Sequence, residues 1–359
     1  MTYRVVAWST GNVGRKAIAG IDAHPDLELV GVWVSSKSKV GKDAGELAGL
    51  GRSLGVAATN DADELLALKP DAVVYTAMAD NRLMEAVEDL AMILRAGVNV
   101  VSSSPVFLQF PAGLPDELVK PVLDAAAEGG ASIFVNGVDP GWANDALPLA
   151  LTSICERIDE LRCMEVVNYA TYDNALVLFD VMGFGKPTDG DPPLLLVPGV
   201  LTLAWGSVVR QLAAGLGVEL DEVREVHETI EAPEDFGIDA GHIEKGTMAG
   251  LRFEVQGMIN GVPRIILEHV TRLRDDLAPD WPQPTGHGGY RVIATGSPTY
   301  TVDMQMMGED GDHNTAGLQA TAMRLVTALP AVIDAAPGLV TALDLPQTPG
   351  RGLLNTAPA

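Results

Sequence analysis

The sequence has few cysteines, few basic residues and few histidines. Two cysteines, Cys155 and Cys163, occur in 359 residues; they form no CxxC pair and lack the spacing of a zinc site or a disulfide framework. Lys and Arg number 24 against 48 Asp and Glu, giving a net charge of −24. Such an acidic surface repels phosphate backbones, so we expect no nucleic-acid partner. Because the six histidines show no ligand spacing, we expect no metal.

Long apolar runs are also missing. The most apolar stretch, residues 194–209, is interrupted by Pro198 and Gly199 and ends at Arg210. It is shorter than the roughly 20 apolar residues that cross a bilayer, so it predicts a buried helix. The N-terminus enters a strand pattern directly, without the layout of a signal peptide. We therefore expect a cytoplasmic protein that makes no use of a membrane.

The first part of the chain alternates short apolar runs with helical patterns. The predicted strands are residues 4–8, 27–34, 72–77, 98–101 and 132–138. Predicted helices lie between them, including one at residues 61–68 capped by Asn60 or Thr59. Near-continuous apolar strands joined by helices are typical of a parallel sheet covered on both faces. The expected fold class is therefore α/β, with an N-terminal doubly wound Rossmann sheet.

The second part has a different pattern. Asn260-Gly261 separates two extended runs and predicts a β-hairpin, because both residues tolerate positive φ. A second hairpin is expected at Gly296-Ser297-Pro298, and a final helix at residues 317–336 should kink or break at Pro330. We expect a second α/β domain on an open mixed or antiparallel sheet. The predicted domains are residues 1–140, residues 141–315, and a C-terminal helix and tail, residues 316–359, packing back on the Rossmann domain.

A glycine-rich turn follows the first strand and opens the first helix. It matches GxGxxG except at its first position, and its residues are Ser9-Thr10-Gly11-Asn12-Val13-Gly14. Gly11 would let the backbone approach a pyrophosphate, and Gly14 would let the helix pack closely on the strand. The helix N-terminus then attracts the phosphate charge. Read alone the motif is weak, but its place after a strand favours a dinucleotide site.

The segment after the second strand bears on the choice of cofactor. An NAD-preferring site usually carries an acidic residue about 20 positions after the motif. This chain has Ser35, Ser36 and Lys37, followed by a further serine and lysine. Hydroxyls and lysines suit a 2′-phosphate, so the segment favours NADP(H), with NAD(H) or a merely solvated loop as alternatives. Ala77 and Met78, at the end of the 72–77 run, are further candidates for cofactor contact.

Asp139 follows the last Rossmann strand, where ligands bind in such folds. It could shuttle a proton, or it could cap a helix that starts at Pro140. Asn168 and Tyr169 end a strand-like run, and neighbours on a strand face opposite ways, so at most one of them should face the cleft.

His269 lies in the second run of the Asn260-Gly261 hairpin. A two-residue turn pairs Ile259 with Val262. Counting back from that pair, Arg252 should face His269, with Glu254 on the same polar face. His269 could polarise a carbonyl or bind a carboxylate, or it could be an ordinary surface histidine.

With these residues in view, the sequence resembles the dihydrodipicolinate-reductase-like family, and within it the native amine dehydrogenases and 2,4-diaminopentanoate dehydrogenases. The resemblance covers nearly the whole chain and is carried by VVAWSTGNVGRKAI, LVGVWVSS, GVNVVSSS, NGVDPGWANDALPL, GTMAGLRFEVQG and LDLPQTPGRG. It implies a Rossmann domain plus an α/β domain, a homodimer, and hydride transfer from NAD(P)H to a C=N or C=O carbon. It also implies that Trp142 and His269 lie near the substrate, Trp142 having domain-interface packing as its alternative.

One departure from the family matters for the chemistry. The characterised amine dehydrogenases carry a proton-handling glutamate just after the strand that corresponds to NVVSSS, but residues 102–110 contain no carboxylate. Amine formation should therefore be slow unless Asp139 or another acidic residue reaches the same place. A pocket lined by Trp142, Phe107 and Asn168 could hold a small apolar ketone, aldehyde or imine, with ammonia as a further partner. Tyr169 is a separate candidate for substrate contact. The alternative function is a catalytically silent nucleotide-binding or redox-sensing protein.

Overall fold

The computed structural model describes residues 2–354, which form two compact units. One unit runs to Val138 and resumes at Leu318; the other is Asp139–Gly317. The strands are β1 Tyr3–Trp8, β2 Leu27–Trp33, β3 Ala58–Thr59, β4 Ala72–Tyr75, β5 Asn99–Ser102, β6 Ser132–Val135, β7 Arg157–Asn168, β8 Glu222–Glu231, β9 Phe236–Ile238, β10 Gly241–Ile243, β11 Met248–Ile259, β12 Val262–Arg272, β13 Gly288–Ser297, β14 Tyr300–Gln305 and β15 Gly338–Val340. The helices are α1 Asn12–Ala23, α2 Ala44–Ala48, α3 Ala62–Ala67, α4 Leu83–Arg95, α5 Asp116–Gly129, α6 Ala146–Thr152, α7 Val200–Leu216 and α8 His313–Ile333.

The first unit is built on a parallel sheet. Over the described residues its seven strands run in the order β3-β2-β1-β4-β5-β6-β15. The order of its first six strands is that of dinucleotide-binding folds, so the predicted doubly wound sheet is confirmed. All four residues of β4 are buried, as expected for a strand covered on both faces.

Two local predictions for this unit need correction. Helix α3 is capped by Asp61, whose carboxylate accepts from the Glu64 amide at 3.1 Å, so neither Asn60 nor Thr59 is the cap. Helix α8 continues three residues past Pro330 and ends at Ile333, so Pro330 does not break it. Leu325 and Leu329 of α8 are fully buried in the unit's core, and this packing holds the helix together around the proline.

Helix α8 is also the one described helix long and apolar enough to cross a membrane by length and composition alone. Its most apolar window is 44% buried inside the protein. Buried side chains such as Ala322, Leu325 and Leu329 belong to the core that α1 also helps to form. This packing is what the core helix of a globular unit shows.

The second unit contains a mixed sheet. Among the described residues its six strands run β14-β13-β7-β12-β11-β8. Only β7 and β12 are parallel to each other; the remaining neighbours are antiparallel. Helix α7 packs on one face, against β8, β11 and β12. It begins at Val200 rather than near residue 194, because Gly199 just before it adopts a φ of 91°, which a right-handed helix excludes.

The predicted hairpin is present, but its predicted register is wrong. Asn260 and Gly261 have φ of 52° and 73°, and Ile259 pairs with Val262 as expected. A bulge between Gly257 and Met258 then shifts the pairing by one residue, so His269 faces Phe253 instead of Arg252. A shift of one residue moves a side chain to the other face of a strand pair. His269 therefore lies on the apolar face under α7 and is 5% exposed.

Candidate active site

The glycine-rich turn joins β1 to α1 and leaves the helix N-terminus open. Gly11 is the N-cap of α1, and no side chain caps the helix. A Cβ added to Gly11 would meet nothing nearer than Ser9 Oγ, at 3.8 Å. The free amides of α1 and the space in front of Gly11 suit a phosphate group. The site thus has the form that a dinucleotide pyrophosphate requires.

The two outer positions of the turn have different constraints. A Cβ on Gly14 would lie 2.3 Å from the Ser9 carbonyl oxygen and 2.8 Å from Thr76 Oγ1, so only glycine allows this approach of helix and strand. Ser9 stands where the motif usually has its first glycine, and its φ of 96° lies in the region that favours glycine. The turn keeps the motif's backbone although it lacks one glycine. Asn12 and Val13 form the first residues of α1.

The segment after β2 is exposed at Ser35, Ser36 and Lys37. The nearby Lys39 behaves differently: its ammonium donates to Thr10 Oγ1 at 3.0 Å. That contact brings a positive charge to the phosphate turn itself. Sequence reasoning counted this lysine as part of the loop's charge but did not single it out.

The other predicted cofactor and substrate contacts of the first unit lie beyond β4 and β5. Met78 is 37% exposed, and Ala77 is buried, with its carbonyl accepting from Ser104 Oγ at 2.6 Å. Phe107 lies in a short 3₁₀ turn, Val106–Gln109, and is 2% exposed.

In the second unit a row of side chains crosses the helix-covered face of the mixed sheet. Phe253, His269, Glu165 and Tyr290 are direct lateral neighbours on β11, β12, β7 and β13. The rings of Phe253 and His269 stack, with centroids 4.7 Å apart. The row places one imidazole beside one carboxylate within an apolar layer, where Glu165 is only 6% exposed.

Asp139 reaches the same imidazole from outside the sheet. It lies four residues beyond the end of β6, in an extended conformation with φ of −153°. Its Oδ1 accepts from Trp205 Nε1 at 2.9 Å and lies 3.2 Å from His269 Nε2. The alternative role as a helix cap is thus wrong, since α6 starts at Ala146 and is capped by Asp145.

His269 lies between two carboxylates. Its Nε2 faces Asp139 Oδ1 and its Nδ1 faces Glu165 Oε2, both at 3.2 Å. Burial alone would lower the pKa of His269, but the charge of Asp139 and hydrogen bonds to Asp139 and Glu165 raise it to about 10. At neutral pH this imidazole therefore carries a proton on each nitrogen.

Glu165 is the most heavily contacted carboxylate of the cluster. Tyr169 donates to its Oε2 at 3.1 Å, and His313 Nε2 lies 3.9 Å from its Oε1. Burial would raise the pKa of Glu165, but the contact with His269 and the nearby His313 hold it well below its ordinary value. Burial and the Glu165 charge raise the pKa of Tyr169 and Tyr290 well above 10.

Asp139, Glu165 and His269 offer ligand atoms within 4.8 Å of one another, a spacing that a metal ion can use. In the structure His269 uses both ring nitrogens on the two carboxylates. A metal would have to replace those contacts, so the arrangement is that of a hydrogen-bonded chain.

The other predicted site residues of this unit have separate places. The Asn168 side chain donates to Asp275 Oδ1 at 2.7 Å and takes no part in the cluster. Trp142 is half-buried in the irregular segment that follows Asp139. The structure thus brings Asp139, His269 and Tyr169 together and leaves Asn168 outside.

Sequence reasoning gave little weight to Glu165 and missed His313. Glu165 is two residues from Cys163 along a strand and so shares the face that α7 covers, a pattern visible in the sequence. His313 has no sequence signal: it precedes an apolar helix, and only the fold brings it to Glu165.

Two protein-family models and several known proteins match the chain. Residues 142–355 match the family model of the 2,4-diaminopentanoate dehydrogenase C-terminal domain, and residues 5–104 match that of the dihydrodipicolinate reductase N-terminus. An amine dehydrogenase of Streptomyces virginiae is 44% identical over 98% of both chains. The amine dehydrogenase structure from Mycobacterium smegmatis aligns over 99% of both chains, with a TM-score of 0.78 at 23% identity. GenD2 from gentamicin A biosynthesis, solved in complex with NAD, aligns over 96% of this chain and 90% of its own, with a TM-score of 0.54 at 17% identity.

The fold and these matches define an oxidoreductase, a dehydrogenase with an N-terminal Rossmann-like sheet. Within that class the chain belongs to the amine dehydrogenase branch of the dihydrodipicolinate-reductase-like family.

Proposed function

We propose that the protein is an NADP(H)-dependent amine dehydrogenase that interconverts a small apolar ketone or aldehyde with the corresponding primary amine. The observation that carries the proposal is the buried chain from Asp139 through His269 to Glu165. It supplies acid and base groups in a chain that lacks a carboxylate in residues 102–110. The relative from Streptomyces virginiae, named an amine dehydrogenase, supports the same chemistry.

The residues of the phosphate turn fit a dinucleotide. The uncapped amides of α1 would hold the pyrophosphate in front of Gly11, and Lys39 adds positive charge beside Thr10. Ser35, Ser36 and Lys37 would meet the adenosine ribose, where their hydroxyls and charge favour a 2′-phosphate. GenD2, a relative by fold, was solved in complex with NAD. In this chain the proposed preference for NADP(H) rests on the absence of an acidic residue from the segment after β2. A nicotinamide cofactor supplies or accepts the hydride.

The chain's own residues have to manage protons. Overall, a ketone, an ammonium ion, NADPH and one proton give a protonated amine, NADP⁺ and water. Ammonium must lose a proton before nitrogen adds to the carbonyl carbon, and the carbinolamine hydroxyl must gain a proton to leave as water. Asp139 can take the first proton and return it for the second. His269, held at Asp139, can supply the proton consumed overall.

The surroundings of the cluster suit an apolar substrate. Rings of Trp205 and Phe253 pack against His269, with centroids 4.8 Å and 4.7 Å away. Phe107, Trp142 and Tyr169 remain candidates for substrate contact, and Asn168 for a polar contact. We also propose a cytoplasmic homodimer, following the family.

The test is NADPH oxidation with a panel of small ketones and aldehydes, with and without ammonium. Amine formation that requires ammonium supports the proposal. Carbonyl reduction without ammonium would indicate a ketone reductase. Tight NADPH binding without any turnover would favour a silent nucleotide-binding protein.

A further inference from the structure

The carboxylate of Glu165 is enclosed by proton donors. His269 Nδ1 lies 3.2 Å from its Oε2, Tyr169 donates to the same oxygen at 3.1 Å, and His313 Nε2 lies 3.9 Å from its Oε1. Glu165 is 6% exposed and His313 is 3% exposed. A carboxylate surrounded by hydrogen-bond donors is a poor base, since each donor stabilises its ionised form. Glu165 must therefore influence proton transfer through the residues that it contacts.

The contacts of the two histidines decide their protonation. His269 faces a carboxylate oxygen from each ring nitrogen, and only the imidazolium can donate to both. His313 Nδ1 faces the Met306 carbonyl at 3.0 Å, which requires a proton on that nitrogen. Its Nε2 then faces Glu165 favourably only when that nitrogen is protonated as well. Charges along Asp139, His269, Glu165 and His313 therefore alternate in sign.

We propose that His269 and Asp139 form a proton relay in which Glu165 is a positioning residue that holds His269 as the imidazolium. The inference rests on the proposed function and adds to it the group that determines the working pH. In reduction, the Nε2–H bond of His269 breaks and its proton passes through a carboxylate oxygen of Asp139 to the substrate nitrogen. Solvent then returns a proton to His269. In amine oxidation the same path runs backwards, and neutral His269 receives the proton.

The relay predicts when His269 acts as acid or as base. Its pKa of about 10 makes it an acid at neutral pH and a base only in alkaline solution. The titratable groups in contact with His269 are Asp139, from the segment before α6, and Glu165 of β7. Tyr169, Tyr290 and His313 interact in turn with Glu165. Of these, Asp139 and Glu165 are the carboxylates in direct contact with its ring nitrogens.

A matched control lies on the opposite face of the same sheet. Glu254 of β11 is also partly buried and ionised against an arginine, with its Oε1 2.7 Å from Arg162 Nη1. Its side chain points away from the row that contains His269, because neighbours on β11 alternate and Phe253 occupies that row. Replacing Glu254 removes a more exposed carboxylate from the same sheet without touching the relay.

The experiment measures His269 by NMR titration of the full-length protein without substrate, and the pH profile of kcat/KM for reductive amination. In Glu165→Gln, both the His269 pKa and the alkaline limb of the profile should move down by about 1–3 pH units. In Glu254→Gln neither should move. A merely structural role of Glu165 would not lower both readouts while Glu254→Gln leaves them unchanged.

The two readouts separate the relay from the proposed function. An unchanged His269 pKa in folded Glu165→Gln overturns the relay, even if the wild type forms amines. Should Glu165→Gln not fold, Glu165→Asp, whose shorter side chain draws the carboxylate back from Nδ1 of His269, is titrated instead, and an unchanged His269 pKa there overturns the relay equally. If the wild type forms no amine but the His269 pKa falls in Glu165→Gln, the proposed function is refuted. The role of Glu165 in holding the proton on His269 is then kept.

Discussion

The ring nitrogen Nε2 of His269 lies 3.2 Å from Oδ1 of Asp139, although the two residues are 130 positions apart in the chain. Asp139 lies just after β6, and His269 lies on β12 in the middle of the mixed sheet. The contact gives a chain without the family glutamate a buried acid–base pair.

Asp139→Asn should reduce amine formation by about 10²–10⁴-fold, the usual contribution of a positioned acid or base. The amide cannot accept a proton from ammonium, and it cannot compensate the charge of His269. Steady-state kcat/KM with ketone and ammonium measures the loss, and NADPH affinity should stay unchanged. Rapid turnover in this variant would show that Asp139 handles no proton.

Gly11→Val should abolish dinucleotide binding while the fold is kept. A side chain there points into open space, which the pyrophosphate would need. Gly14→Ala makes a matched comparison: its Cβ would lie 2.3 Å from Ser9 O, so it should lower the free energy of unfolding by about 1–3 kcal/mol. NADPH fluorescence titration and urea unfolding separate the two effects. Unchanged NADPH affinity in folded Gly11→Val would remove the assignment of this turn.

Ser35→Asp should weaken NADPH binding far more than NADH binding. The added carboxylate repels a 2′-phosphate, yet it can accept a hydrogen bond from a ribose 2′-hydroxyl. Fluorescence titration with both cofactors measures the ratio of affinities, and Ser153→Asp, at an exposed serine of the other unit, serves as the control. Equal losses for both cofactors would contradict the role given to residues 35–37.

Stability should fall in alkaline solution because of His269. Its pKa in the folded protein, about 10, exceeds its ordinary value of 6.5. The folded state therefore binds this proton more tightly, and the resulting stability is complete below about pH 6.5 and lost as pH rises through 10. Urea unfolding between these values should show a smaller alkaline loss in His269→Gln than in the wild type. An equal loss in both proteins would refute the raised pKa.

Much of the fold follows from local sequence signals. Alternating apolar runs predicted the parallel sheet, and Asn260-Gly261 predicted the turn between β11 and β12 because both residues accept positive φ. The phosphate turn was predicted with its glycine constraints, and Gly14 indeed leaves no room for a Cβ. These signals are local because each depends on neighbouring residues only.

The acid–base cluster depends on features that the sequence does not show. A bulge between Gly257 and Met258 decides which face His269 takes. A glycine inside a strand is a sign of a bulge, but it does not give the direction or size of the shift in pairing. The lateral pairing of β7 with β12 brings Glu165 to His269 across more than a hundred residues. His313 reaches Glu165 through contacts of the first turn of α8, where Asn314 donates to the Asn168 carbonyl at 2.9 Å. Strand partners and bulges are fixed by tertiary packing, so single-strand patterns could name the candidates but not assemble them.

The most direct test of the central claim follows nitrogen from ammonium into the product. Wild-type protein is incubated with NADPH, a small apolar ketone and ¹⁵N-labelled ammonium, and the products are identified by mass spectrometry. Reductive amination requires a ¹⁵N-labelled primary amine in amounts equal to the NADPH oxidised. An alcohol product, or NADPH bound but not oxidised with any ketone of the panel, would contradict it.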